Sequence, residues 1–382
     1  MLHKSEEPKY LQVAQDLENR IRSGVWDDRK VPSLRVLASE HDVSIVTAAR
    51  AIQVCCSKGL IRRKEHSRGY QTVPEGRASQ EKWGLCLRVT SGEWQQLNSA
   101  VSRLGFETIA GEEGVAFQES FDLGQGVSRR EMQEQIRRAK NDGVGGMFFL
   151  PSRSSDATAA QDEKFLELCG SENMPIVLLE RNLRGHSREL EHDLVAVDDL
   201  DGGVRTTEHL LQIGRKRIAI VVASPTSSHD ERVAGYLHQL RVAHLSGRSS
   251  ADYEPIILQQ PEGVTGKRCE RWLADELLAR QIDGVICYQD AFAIGLIVEL
   301  FTRGVRIPDD IAVVGFDNLP IGDLFTVGVT TYAYPGEGIV RNALRLMRQR
   351  INHPAGRTVK VSVPGELIVR ESSVPDKSQE SK

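Results

Sequence analysis

No stretch of this 382-residue chain approaches the ~18–20 apolar residues that span a bilayer, so no membrane contact is expected. Its opening, MLHKSEEPKYLQ, lacks the apolar core of a signal peptide, and the expected location is cytoplasmic. The six cysteines (Cys55, Cys56, Cys86, Cys169, Cys269, Cys287) form no CxxC pair and sit mostly in apolar segments. Buried free thiols are expected, rather than disulfides or a zinc site. The ten histidines show no HExxH or paired ligand spacing, and His209, on the apolar stretch HLLQIG, reads as packed. There is no GxSxG elbow. The run GVTGKR fails as a phosphate loop, with Pro261 where a glycine belongs and Arg268 where Ser or Thr belongs. Gly124, Gly126, Gly143 and Gly146 complete no dinucleotide fingerprint and read as loop glycines. No nucleophile, base and oxyanion set stands out. The expectation is a protein that is not an enzyme and carries no cofactor or metal.

What is there begins with length, which suits two or three domains. Net charge is only −4, yet it is unevenly spread. Residues 1–77 hold 14 Lys and Arg against 10 Asp and Glu, and the remainder holds 35 against 43. A basic head on an acidic body fits nucleic-acid binding by the head alone.

In the head, Tyr10, Val13, Ala14, Leu17 and Ile21 recur at helical spacing and predict an amphipathic helix over 9–23, ended by Gly24, with Trp26 packed across the turn. Pro32 and Ser33 open a second helix with Leu34, Leu37 and Ala38 inward. After the turn Asp42-Val43-Ser44, Ser44 caps a third helix. Ala48, Ala51, Ile52 and Cys55 form its inner face; Ile45, Thr47, Ala49, Arg50 and Gln53 lie opposite, and Gly59 closes it. Residues 60–73 read as two short strands around His66-Ser67-Arg68-Gly69. This predicts a winged helix-turn-helix over 1–73, followed by a polar linker over 74–82. Thr47 and Arg50 face base edges and Arg35 anchors to phosphate, while Arg62, Arg63, Lys64 and Arg68 make the wing basic. A three-helix module that binds protein is the alternative; the basic wing favours DNA.

From Trp83 to about residue 373 the pattern alternates strand and helix. Apolar strand runs fall at 83–89, 106–110, 144–150, 175–180, 194–198, 217–223, 254–258, 283–287 and 311–315. Ser128…Glu131 and Ser228…Glu231 match capping boxes. The expected fold class is an α/β two-lobed sensor, parallel sheets with helices on both faces. The expected lobe crossings lie near 195–198, 326–335 and 353–359, and residues 374–382 form a disordered tail. Such sensors bind ligand at the carboxyl ends of their strands. Charged groups recur just past those ends: Glu180-Arg181, Asp290 and Asp317. Carboxylates accept from vicinal hydroxyls, and Arg donates in a fixed fork. Each alone is as readily a loop charge or a helix cap; the recurrence favours a polyhydroxyl site.

Residues 8–73 resemble the GntR family DNA-binding domain. The matching pieces are Pro8-Lys9-Tyr10, Gln12-Val13-Ala14, Pro32-Ser33-Leu34-Arg35, Leu37-Ala38, Val43-Ser44 with Thr47, Gly59-Leu60-Ile61 and the wing Gly69. Where the family usually has arginines this chain has Ile45 and Ala49, so its operator preference should differ. Ile45 can touch a thymine methyl. Residues 83–373 resemble the ligand-binding domain of the LacI/GalR family, which is periplasmic-binding-protein-like. That resemblance rests on Val197-Asp198-Asp199, Gly214–Ala219, Arg232–Tyr236, Asp290–Gly295, Ile307–Asp310, VVGFDN over 313–318 and Glu366–Ser372. It implies effector contacts at Arg232, Asp317, Gln289-Asp290 and Glu180-Arg181, with Trp94 as a stacking aromatic. The LacI/GalR family's own headpiece and hinge helix are absent, an arrangement similar to arabinose-type repressors.

The two resemblances together imply a ligand-responsive transcriptional regulator, a repressor, acting as a homodimer on a near-palindromic double-stranded DNA operator under control of a sugar-like effector. The rivals are a transport-type solute-binding protein and an α/β enzyme.

Overall fold

The computed structural model describes residues 8–22, 30–57, 60–63, 70–72, 81–87, 105–106, 108–109, 111–118, 121, 123, 126–152, 155–185, 189–246, 254–324 and 326–374. Gly24, Trp26, Gly59, residues 64–69 with Arg68 and Gly69, Trp94 with its loop, most of the 74–82 segment and residues 375–382 lie outside these.

The head consists of α1 (Lys9–Arg22), β1 (Lys30–Val31), α2 (Leu34–Glu40), α3 (Ile45–Ser57), β2 (Ile61–Arg63) and β3 (Tyr70–Thr72). The strands form an antiparallel sheet in the order β1-β3-β2. Val13, Ala14 and Leu17 of α1 meet Leu37 and Ala38 of α2 and Ala48, Ala51, Ile52 and Cys55 of α3, with Ile61 and Val31 closing the core. The Ser33 hydroxyl accepts from the Val36 N–H and caps α2.

The first lobe is a six-stranded parallel sheet in the order β14-β8-β7-β6-β4-β5. Its strands are β4 (Lys82–Leu87), β5 (Ala116–Gln118), β6 (Val144–Leu150), β7 (Ile176–Leu179), β8 (Asp193–Val197) and β14 (Lys360–Val363). Helices α4 (Arg129–Asn141) and α5 (Asp156–Ser171) cover one face through Met132, Ile136, Phe165 and Leu166. Phe106, Ile109 and the long helix Gly336–Asn352 cover the other. Burial on both faces is why β7 and residues 194–197 of β8 read as unbroken apolar runs. The expected capping box at Ser128 and Glu131 is present.

The second lobe has β9 (Ile218–Val222), β10 (Ile256–Gln259), β11 (Gly284–Ile286), β12 (Ala312–Asp317), β13 (Thr330–Ala333) and β15 (Leu367–Ile368), in the order β10-β9-β11-β12-β13-β15. All pairs are parallel except β13 with β15. Helices α6 (Asp199–Gln212) and α7 (Ser227–Leu245) lie on one face; α8 (Lys267–Ala279) and α9 (Asp290–Thr302) lie on the other, followed by the short α10 (Pro320–Leu324) and α11 (Gly336–Asn352).

Three expectations are corrected. The apolar run at 106–110 is helical where described, because Phe106 and Ile109 bury together at a spacing of one helical turn. Ser228 is not the cap of α7: the cap is Thr226, two residues earlier, whose hydroxyl accepts the His229 N–H, and Glu231 pairs instead with Lys360. The third crossing is not at 353–359. Arg350 pairs with buried Asp193, which also accepts the Val359 N–H. That anchor runs 360–363 beside β8, so the chain passes between sheets only between β14 and β15. The other passages follow β8 and β13.

α6 and α7 cross with backbones in contact. A Cβ on Gly203 would overlap the Arg232 carbonyl oxygen, and one on Gly235 would overlap the Leu200 carbonyl oxygen. Gly235→Ala meets backbone, which cannot swing aside, and should cost about 1–3 kcal/mol. Thermal unfolding checks this; an unchanged melting temperature would contradict the close crossing.

Candidate functional site

Two faces carry candidate chemistry. In the head, Arg35 and Ser44 are exposed, Ile45 is 51% exposed and Val46, absent from the sequence-level candidates, is 77% exposed. Ser44 accepts the Thr47 N–H at 3.0 Å, and its hydroxyl lies 2.8 Å from that of Thr47. The cap therefore fixes Thr47 on the first turn of α3. Arg50 is exposed, with its guanidinium carbon 4.7 Å above the Tyr10 ring centroid. Arg62 and Arg63 lie on β2, which continues from the head's core at Ile61.

The second face is the crevice at the carboxyl ends of the lobe strands. On the first lobe, Glu180 follows β7 with φ +64°, and its carboxylate accepts from the Arg181 Nη2 at 2.6 Å. Arg181 is buried and also donates from Nη1 to the Pro151 carbonyl at 2.8 Å. The adjacent Asn182 N–H donates to the Ser227 hydroxyl at 3.0 Å and joins this loop to α7 of the second lobe.

On the second lobe, Arg232 pairs with Asp199, and Asp317 acts electrostatically on both Asp199 and Asp290. Arg232 donates from Nε to the Asp199 carboxylate at 2.6 Å and from Nη1 to the Tyr288 carbonyl at 2.9 Å. Its guanidinium carbon lies over the Phe316 ring, 3.8 Å from the ring centroid. The Nη2 group makes no hydrogen bond among the described residues. Asp199 is fully enclosed, and burial pushes its carboxyl up to about 6 against the pull of Arg232. Asp290 opens α9 and accepts the Leu319 N–H at 2.8 Å. Burial, reinforced by the charge of Asp317, pushes its carboxyl up to about 8. The glycine of VVGFDN follows from this packing: a Cβ on Gly315 would overlap an Asp290 carboxylate oxygen. Gln289 is buried as the residue before α9. His229, Arg232, Tyr288 and Phe316 come together at the ends of β9, β11 and β12.

Sequence reasoning thus missed Asp199, His229, Tyr288 and Phe316. The doublet Asp198-Asp199 directly after an apolar strand is the one signal that was available. His209 is packed, with Nε2 2.7 Å from the Ser373 hydroxyl, and desolvation lowers its basicity. All six cysteines are free; five are buried and Cys56 is half-buried. Among the described residues no cluster of His, Cys, Asp and Glu could hold a metal, and no helix is long and apolar enough to cross a membrane.

Asp290 makes the crevice sensitive to pH. The folded chain keeps a proton on it up to about pH 8, whereas the unfolded chain releases it near 3.8. Folding therefore binds a proton in that window, and this carboxyl's contribution to stability falls as pH rises through it. Asp290→Asn should flatten the decline in melting temperature between pH 6 and pH 9. Parallel profiles for the two proteins would show that Asp290 is already ionised in the folded state.

Residues 207–373 match the model of the periplasmic binding protein-like domain. Over nearly its full length the chain is similar to the arabinose metabolism transcriptional repressor of Halalkalibacterium halodurans, at 25% identity with 98% of each chain covered. It is 24% identical to the same-named repressor of Geobacillus stearothermophilus, covering 96% of this chain and 98% of that one. Among solved structures it is similar to a LacI family transcriptional regulator from Enterococcus faecium with bound ribose: TM-score 0.58, 22% identity, 78% of this chain and all of that one. A CelR–cellobiose complex gives a TM-score of 0.59 at 22% identity, covering 90% of this chain and all of that one. The two lobes have a periplasmic-binding-protein-like fold.

Proposed function

We propose that this chain is a ligand-responsive, DNA-binding transcriptional repressor whose crevice takes a sugar or a related polyhydroxyl metabolite. The observation that carries the reading is the crevice's polar set. The Arg232 guanidinium sits over the Phe316 ring and pairs with Asp199, and the charge of Asp317 acts on both Asp199 and Asp290. A fixed donor fork beside carboxyl acceptors suits vicinal hydroxyls. End-to-end similarity to two arabinose metabolism repressors supports the same class of ligand. Glu180 and Arg181 face the ligand from the first lobe, with Gln289 beside Asp290. Trp94 is the proposed stacking aromatic.

We read the head as a GntR-type winged helix-turn-helix. The three-stranded antiparallel sheet threaded between and after the helices supports a wing, against an all-helical head of the LacI type. The reading puts Ser44, Ile45, Thr47 and Arg50 in the major groove, Arg35 on phosphate, and Arg62, Arg63, Arg68 and Gly69 in the wing. The protein acts in the cytoplasm as a homodimer, its two heads on the two halves of one operator.

Selection from random DNA should yield a near-palindromic site. Arg35→Ala should weaken binding to all sequences alike, whereas Thr47 and Arg50 variants should change the selected sequence. Removing both Arg62 and Arg63 should lower the salt dependence by roughly two units of slope. Unchanged slope in that variant would count against a wing on the backbone.

For the crevice, the measurement is thermal shift against a panel of L-arabinose, D-ribose, D-xylulose and cellobiose, since bound ligand stabilises by mass action. At least one should raise the melting temperature. Asp317→Ala should weaken that ligand roughly ten- to a hundredfold while leaving operator binding intact. Arg232→Ala is the poorer probe, because it strands the buried Asp199 carboxyl and lowers stability as well. A normal response in Asp317→Ala would remove this carboxylate from the site.

A further inference from the structure

In the C-terminal run Ile368–Ser372, Arg370 reaches back to the turn that carries Asp317, and its charge also acts on Asp290. That turn is unusual. Asp317 has φ +94° and Asn318 φ +52°, two consecutive non-glycine residues in the left-handed region. Such backbone persists only where its surroundings over-determine it, and it concentrates at functional sites. Three contacts hold it. The Arg370 Nη2 donates to the Asn318 side-chain carbonyl at 2.8 Å. The Asn318 N–H donates to the Thr331 hydroxyl at 3.1 Å, and the Leu319 N–H donates to Asp290 at 2.8 Å. Arg370 is itself fixed: its Nη1 donates to the Val329 carbonyl at 2.8 Å, its backbone N–H to the Thr330 hydroxyl at 2.8 Å, and its Nε lies 3.3 Å from Asp323.

We propose that Arg370 is a positioning residue for the effector carboxylate: by clamping Asn318 it keeps Asp317 in the left-handed conformation that presents it to the crevice. This rests on the reading of Asp317 as an effector contact. Arg370 lies two residues past β15, and it spends Nη2 on the side chain of a turn residue. Without the clamp, the turn relaxes toward negative φ and the carboxylate leaves its place, although the sheet beneath it remains.

The full-length protein is compared with Arg370→Gln, Asn318→Gly and the double variant. Hydrogen exchange needs no ligand. Peptides spanning 316–320 should exchange roughly tenfold faster in Arg370→Gln, while peptides from β9 and β11 keep their protection. Uniform acceleration, or none, overturns the clamp. Affinity is then measured for whichever sugar of the four-member panel stabilises the wild type. Arg370→Gln should lose about tenfold with operator binding unchanged. In Asn318→Gly the clamp has no partner and glycine adopts positive φ freely. Adding Arg370→Gln there should cost nothing further, because the two residues act as one unit. Additive losses would mean that Arg370 supports Val329 and Thr330 rather than the turn, and would overturn the proposal. If Asp317→Ala abolishes the response while Arg370→Gln leaves affinity intact, the clamp fails and the crevice reading stands. If no panel sugar shifts the wild type, or Asp317→Ala responds normally, the crevice reading fails and this inference falls with it.

Discussion

The ion pair between Arg232 and Asp199 is the contact around which the second lobe is arranged. Both side chains are nearly excluded from water, at 11% and 2% exposure, so each is desolvated at a cost of several kcal/mol. A pair of this kind adds little net stability over a packed apolar pair; what it supplies is position. Its geometry depends on backbone contact between α6 and α7, which only Gly203 and Gly235 permit. It also depends on Phe316, whose ring forms a floor beneath the guanidinium. Glycines, aromatic and ion pair come from three separate stretches of sequence, and each makes sense only beside the others.

Around that pair the lobe gathers more carboxyls than it can ionise cheaply. The charge of Asp317 acts on both Asp199 and Asp290, and burial raises both carboxyls above the ordinary range, Asp290 the further. A neutral carboxyl donates as well as accepts, so the group offers hydroxyl partners of both kinds in a small space. A core optimised for stability alone would hold none of these groups. Their survival against that cost is a physical sign that the crevice binds something polar.

Much of this was legible in the sequence. Strand and helix alternation exposed the two-layered lobes because strands buried on both faces are long and apolar. Past the ends of such strands, Glu180, Asp290 and Asp317 stood out by their recurrence, although each alone reads as readily as a loop charge or a helix cap. The run at 106–110 misled because a short apolar segment has no period of its own. Strands β5, β13, β14 and β15 went unseen because each has four residues or fewer and lies half-buried or beside a partner far along the chain. Asp199 escaped because it resembles an N-terminal helix acid, which it also is: only the tertiary crossing of α6 and α7 brings Arg232 to it. Arg350 and Asp193, 157 positions apart, decide where the last crossing falls, and no local pattern announces such a pair.

How the lobes can move follows from what joins them. One continuous apolar cluster runs from Phe148 and Val177 of the first sheet to Val314 and Tyr332 of the second, through helices that touch both. Sliding that cluster apart would expose apolar surface at roughly 25 cal/mol per Å². Two further ties between the lobes are polar: the Asn182 N–H on Ser227, and Lys360 on Glu231. These can exchange their partners for water at small net cost, because a hydrogen bond lost to solvent is largely replaced. Opening is therefore easiest as a rotation about the apolar cluster with the polar ties breaking first. On the proposed reading, a ligand that bridges Glu180 and Arg181 on one lobe with Arg232 and Asp317 on the other opposes that same rotation, so its binding energy acts on the lobe angle directly.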